Sequence, residues 1–353
     1  MKKIAIALAI LLVIAVSQKE RILTTIMQKG LEARLGSDLI NELDDGLHLG
    51  LCGAGGPLPA PNASGPCVVV IAGQRMFVVD AGTDGLRNLG RMGLQTGRIE
   101  AVFLTHFHSD HMDGLGEMAT IRWVGAANKT PLPVYGPIGV SQIVQGFNTA
   151  YAFDKIYRHE HHGDTVAPLS GAGLVAQEFA TPELGVLATL IDDGDVLIEA
   201  LAVGHAPVEP AVGYRFKYKG RSLLITGDTI AMDNIRKFSE GVDLLVHEAL
   251  APNLVMQMNA AAKKLGNKVL EKVTIDILDY HASPVQAAEV ARDAEVGHLL
   301  YYHIVPPLVI PGQSSLYLNG AEDIFPDYTI GQDGVMFSMP AGSTEINKIS
   351  KGL

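Results

Sequence analysis

Three observations predict an α/β fold with sheets covered by helices. Short apolar runs of strand length recur along the chain, they alternate with helix-compatible stretches, and histidines and carboxylates stand where several of those runs end. With 353 residues, 48% of them hydrophobic, the chain is long enough to bury one large core.

Taken in order, Met1-Lys-Lys precedes an uninterrupted apolar block, Ile4 to Val16, and Ala15-Val-Ser17 offers small residues at its end. As a helix this block reaches about 20 Å, short of a roughly 30 Å hydrocarbon core. It reads as a signal peptide over residues 1–17, which places the protein in the periplasm or outside the cell, with retention as a signal anchor the alternative. No stable membrane span is expected beyond it. Residues 18–46 form a helical segment, with Ile22, Ile26, Leu31, Leu35 and Leu39 spaced roughly as one face. Residues 47–353 carry no low-complexity linker and form the main domain.

Within that domain, strands are expected at 47–51, 67–72, 76–79 and 101–104, then a helix at 114–124. The second half repeats the alternation, with strands at 196–203, 212–218, 222–226 and 244–246 and helices at 252–265 and 284–294. Pro284 suits the first turn of its helix. Cys52 and Cys67 flank a Gly/Pro-rich stretch, and the sequence leaves open whether they form a disulfide or two buried thiols.

The densest chemistry is Leu104-Thr-His-Phe-His-Ser-Asp-His-Met-Asp-Gly-Leu115. His106, His108, Asp110 and His111 fall within six residues, directly after an apolar run, so one strand end delivers four groups of the types zinc and its neighbours accept. His205 and Asp228 follow further apolar runs, and His303 closes another. His281 stands at the mouth of the helix that Pro284 opens. Alone, each is an ordinary hydrogen-bonded histidine or aspartate; their repeated placement at strand ends suggests one gathered site.

These motifs resemble the metallo-β-lactamase superfamily, in its branch of ribonuclease Z and the zinc-dependent arylsulfatases. The resemblance runs from about Leu47 to Val309 and rests on His106-x-His108-x-Asp110-His111, Gly204-His205, Gly227-Asp228-Thr229, His247-Glu248-Ala249, His281-Ala-Ser283 and His303. It implies a four-layer αββα sandwich and makes 47–353 the catalytic domain. It further implies two divalent ions, zinc foremost with manganese or iron as alternatives: one held by His106, His108 and His205, the other by Asp110, His111 and His303, with Asp228 bridging. Asp110, His281 and Glu248 are then the candidate catalytic residues. His281 protonates a leaving oxygen or stabilises an oxyanion, and Glu248 orients its ring.

Charge and architecture shape the substrate expectation. The net charge is −11, the isoelectric point is near 5.5, and no run of basic residues stands out, whereas a protein that grips a polyanion normally carries a basic patch. Ribonuclease Z relatives carry a long arm for tRNA between the counterparts of His205 and Asp228, and here only 23 positions separate them. The expectation is therefore an exported, arylsulfatase-like hydrolase of small sulfate or phosphate esters, with no nucleic-acid partner and homodimerisation open. A phosphodiesterase or ribonuclease Z-like nuclease is the alternative, and a lactonase the third. Trp123 and Phe147, between His111 and His205, are the aromatic residues expected to wall the cleft.

Overall fold

A computed structural model describes residues 18–350 and 352–353. The expected signal peptide, 1–17, lies outside the described residues. The chain divides into two compact units, Met1–Leu39 and Ile40–Leu353. In the first, α1 (Lys19–Gly36) exposes Ile22, Ile26, Leu31 and Leu35. Among the described residues no helix is long and apolar enough to cross a membrane.

The second unit is built on two sheets. The first joins β1 (Gly46–Gly53), β2 (Cys67–Ala72), β3 (Arg75–Val79), β4 (Ile99–Phe103), β5 (Leu132–Pro137) and β6 (Leu174–Phe179) to β14 (Met336–Pro340) and β15 (Asn347–Lys348), in the order β15-β14-β1-β2-β3-β4-β5-β6. The second sheet holds β7 (Ala188–Asp192), β8 (Val196–Ala202), β9 (Val212–Tyr218), β10 (Arg221–Ile225), β11 (Leu244–Leu250), β12 (His298–Val305) and β13 (Tyr328–Ile330), in the order β13-β12-β11-β10-β9-β8-β7. Each sheet is antiparallel through its hairpins and parallel where helices make the crossovers, as at β3–β4, β4–β5, β10–β11 and β11–β12.

The two sheets face each other across one apolar layer. Leu49, Val70, Phe77 and Phe103 of the first meet Ile198, Tyr214, Phe216, Leu223 and Leu300 of the second, all buried. The outer face of the second sheet is covered by α7 (Asp233–Ser239), α8 (Pro252–Leu265) and α10 (Pro284–Asp293), whose Ile235, Leu254, Ala287 and Ala291 pack on Leu224, Leu245 and Leu299. Against the first sheet lie α2 (Gly85–Arg91), α4 (Leu115–Gly125) and α5 (Val140–Ala150). This is the four-layer αββα sandwich expected from the motifs.

Most strands that the apolar runs predicted are present, within one or two residues at most ends. The stretch between His111 and His205 was the least legible. It supplies β5–β7, α5 and α6 (Ala152–His162), and α6 buries none of its residues. Trp123 and Phe147 share a small pocket with Gly116, Tyr151 and Leu174, but none of the candidate ligands lines it; Trp123 itself is buried in α4 and its indole Nε1 donates to the Pro168 carbonyl at 2.7 Å. Cys52 and Cys67 form a disulfide across the ends of β1 and β2.

Candidate metal centre

The ends of β4, β8, β10 and β12 meet at one edge of the sandwich. Beyond β4 the chain turns through His106 and His108 into a single helical turn, α3 (Ser109–Met112), which carries Asp110 and His111. That turn is tied to the facing sheet: buried Tyr214 donates its hydroxyl to the Leu104 carbonyl at 2.6 Å, and the Val212 N–H donates to Thr105 O at 3.0 Å. Opposite, Asp228 follows β10 in a tight turn. There Gly227 adopts φ +66° with no room for a side chain, since a Cβ would stand 2.8 Å from that of Thr105. His303 lies inside β12 at a register shift against β11, with φ +47°. The strained backbone aims its ring at the same point.

Three overlapping groups of side-chain atoms converge, each within 4.8 Å: His106, His108, His205 and Asp228 in one, Asp110, His111 and His303 in another, and Asp228, His281 and His303 in the third. Asp228 lies between the first two. Its Oδ2 is 3.9 Å from His106 Nε2, 3.8 Å from His205 Nε2 and 3.3 Å from His303 Nε2, while its Oδ1 is 3.4 Å from His111 Nε2. Asp110 Oδ2 is 3.4 Å from His303 Nε2 and 3.7 Å from His111 Nε2. His111 Nε2, His205 Nε2, His303 Nε2, Asp110 Oδ2 and Asp228 Oδ1 are buried without a hydrogen-bond partner. Orphaned inward-facing donor atoms of these types fit a divalent cation, which satisfies lone pairs that nothing else meets.

Electrostatics point the same way. Burial opposes a charge on Asp228, yet the surrounding imidazoles of His303 and His111 hold its carboxyl well below the usual range. Burial likewise opposes a proton on His111, but the carboxylates of Asp228 and Asp80 raise its pKa well above that of a free imidazole. A field that retains a proton on a fully buried histidine is one that attracts a cation in its place.

The supporting groups fix each ring. His111 Nδ1 donates to Asp80 Oδ2 at 2.8 Å, and Asp80 also accepts from the Thr105 N–H at 2.8 Å. His205 Nδ1 donates to the Tyr280 carbonyl at 2.9 Å. Both bonds leave Nε2 as the free nitrogen facing the centre. Asp80 was not singled out in the sequence, although it follows the apolar run Met76–Val79, the same signal that marked the ligands.

His281 stands beside the cluster, its ring centroid 5.7 Å from that of His303. Its Nδ1 donates to Glu248 Oε1 at 3.0 Å, and the same oxygen accepts from the Thr229 and Ala282 N–H groups at 3.1 Å each. Burial works against a charged His281, but the charge and hydrogen bond of Glu248 outweigh it and raise the pKa to about 9. His247 is fully buried, donates to the Glu248 carbonyl and stays outside all three groups. His159, His161 and His162 lie on α6, away from the cluster.

Comparison with known proteins gives one family match and many relatives. A family described as "Beta-lactamase superfamily domain" matches residues 75–304. "Ribonuclease Z" from Mycobacterium bovis (strain BCG / Pasteur 1173P2) is 34% identical over 269 residues, 76% of this chain and 89% of the relative. "Ribonuclease Z" from Mycobacterium avium (strain 104) is 32% identical over 289 residues, 81% of this chain and 96% of the relative. Among solved structures, human tRNase Z, short form, aligns with TM-score 0.60 and 21% identity over 83% of this chain and 99% of that one. The metallo-beta-lactamase fold protein YhfI from Bacillus subtilis aligns with TM-score 0.58 and 20% identity over 84% of this chain and all of that one.

These relatives correct two expectations. The curated relatives are named for a ribonuclease, against an exported arylsulfatase-like hydrolase of small esters and against the absence of a nucleic-acid partner. The reasoning from net charge failed because −11 is a sum over the whole chain, whereas a polyanion meets only the groups around one cleft.

Proposed function

Because the chain belongs to the metallo-β-lactamase superfamily, on its ribonuclease Z branch, we propose that it is a metal-dependent phosphodiesterase acting on RNA. The observation that carries this reading is the pair of ligand groups joined at Asp228 beside the His281–Glu248 pair. The catalytic domain is taken as residues 47–353. In this reading His106, His108 and His205 hold one divalent ion and Asp110, His111 and His303 a second, with Asp228 shared, and zinc suits the nitrogen-rich donor set best. When bound, such ions supply Lewis acidity and a water of lowered pKa.

The chain's own residues do the rest. Asp228 and Asp110 would supply the negative charge that offsets repulsion between two bound cations. Glu248, fixed by two backbone N–H groups, orients His281 through Nδ1 and so presents Nε2. That nitrogen carries the proton given to the leaving oxygen of the scissile phosphodiester. Glu248 acts through His281 and is a positioning residue.

The segment from His205 to Asp228 contains the short loop 206–211, β9, β10 and their tight turn, with no extended arm. That brevity favours, as a second reading, a short RNA end or small phosphodiester over a grip on a folded tRNA. The deciding assay offers zinc-reconstituted protein a transcript with a 3′ extension, an unstructured oligoribonucleotide and bis(4-nitrophenyl) phosphate. RNA cleavage is expected, abolished in Asp228→Ala and lowered about 10²–10⁴-fold in His281→Ala with the metal content kept. Turnover of aryl sulfates or lactones without any phosphodiester cleavage would sink the reading.

A further inference from the structure

The disulfide-closed loop between β1 and β2 has no role in the account so far, yet it touches the ligand cluster from both of its legs. On the first leg, the Ala54 carbonyl accepts the N–H of Ile304 at 3.0 Å, immediately after His303. Gly56 then lies against β12: a methyl group there would stand 2.9 Å from Val305 Cγ2, 3.0 Å from His303 Cε1 and 3.1 Å from His303 Nε2, the nitrogen that faces Asp228. On the second leg, Gly65 N donates to Thr83 O at 3.1 Å and the Pro66 carbonyl accepts from Gly82 N at 2.9 Å. A Cβ on Gly65 would be 3.0 Å from the Asp110 carbonyl oxygen, and Ala81 N donates to the His111 carbonyl at 2.7 Å.

The two legs are held together at their base. Cys52 and Cys67, both fully buried, are joined there. Asp333 accepts from Ala54 N and Ser64 N, one on each leg, at 2.9 Å each. Buried Asn88 of α2 places its Nδ2 within 2.9 Å of Asp333 Oδ2 and 2.8 Å of the Cys52 carbonyl. The legs therefore cannot separate without breaking a covalent bond and a shared carboxylate.

We propose that the loop of residues 54–66, stapled by Cys52–Cys67 and Asp333, is a positioning clamp for one half of the centre, holding His303 through Gly56 and the Asp110–His111 turn through Gly65 and Pro66. The His106, His108 and His205 group receives none of these contacts. The inference rests on the proposed metal reading, and it assigns the clamp to the ion of Asp110, His111 and His303 alone.

The test measures zinc per chain and the two stepwise affinities, by elemental analysis and competition with a chromophoric chelator. The parent, Cys52→Ala/Cys67→Ala, Gly56→Ala and a core control outside the loop, Val70→Ala on β2, are compared, each with its metal-free melting temperature. Expected is a loss of about tenfold or more in the affinity of one site of the double variant, the same site that Asp110→Ala weakens in the parent, with the other site unchanged. Gly56→Ala, its disulfide intact, should shift the same site in the same direction, and Val70→Ala should melt earlier without that selective loss. Unchanged affinities in the double variant, or loss of both sites in step with melting temperature as in Val70→Ala, would overturn the clamp and leave the metal reading standing. A parent chain that binds no pair of zinc ions would overturn the metal reading and the clamp with it.

Discussion

Asp80 shows how a single side chain decides the chemistry of a neighbour far away in sequence. It fixes the His111 ring at 2.8 Å and the start of the ligand turn through Thr105, so that Nε2 of His111 faces Asp228. Asp80→Ala should therefore lower the affinity for divalent metal about 10–100-fold while all seven proposed ligands remain, as measured by zinc competition. Unaltered affinity would show that packing alone orients the ring. The proposed ligands were legible because their spacing is local: four fall in six residues after β4, and Asp228 sits in a Gly-Asp-Thr turn. Asp80 was not, because its partner comes 31 positions later and a lone aspartate after a strand looks like any turn residue. The same distance effect hid Asp333, which joins two legs of a loop more than two hundred positions upstream.

At the scale of elements, α10 illustrates how a helix start places a loop residue. Ser283 caps the helix, accepting from Gln286 N at 3.2 Å, while Gln286 Oε1 accepts from Ser283 N at 2.8 Å. This reciprocal capping box, with Pro284 in the first turn, fixes the chain just after His281. Ser283→Ala is expected to cost about 1 kcal/mol of stability in urea unfolding. It should also reduce kcat on RNA more than metal content, because the His281 segment loosens while the ligand groups do not. An equal fall in bound zinc would contradict that separation. A strand whose apolar run is buried on both faces, such as β2, was readable in place, whereas of β11 only 244–246 was read, because His247 and Glu248 interrupt its apolar run. The half-exposed β6 and β7 and the polar helix α6 were not, since their patterns carry little burial signal and only their neighbours fix them.

Across the whole molecule, the proposed metal site is also a seam. His106, His108, Asp110 and His111 extend from the first sheet, whereas His205, Asp228 and His303 extend from the second. A cation bound among them would cross-link the two sheets at the edge where their apolar layer ends, and its removal would leave the buried carboxylates with only the neighbouring histidines as counter-charge. Ligand binding to the folded state alone adds stability as RT ln(1 + [L]/Kd), about 4 kcal/mol per site at a thousandfold excess over Kd. For a unit of this size that corresponds to a rise in melting temperature on the order of 5–10 °C. Calorimetry of zinc-loaded protein before and after chelation should show that drop, and added zinc should restore it. Identical melting temperatures would mean that the two sheets are held by their apolar layer alone. The seam also bears on the substrate expectation: cations bound at one edge, as proposed, would reverse the local field there, whatever the sum over the surface.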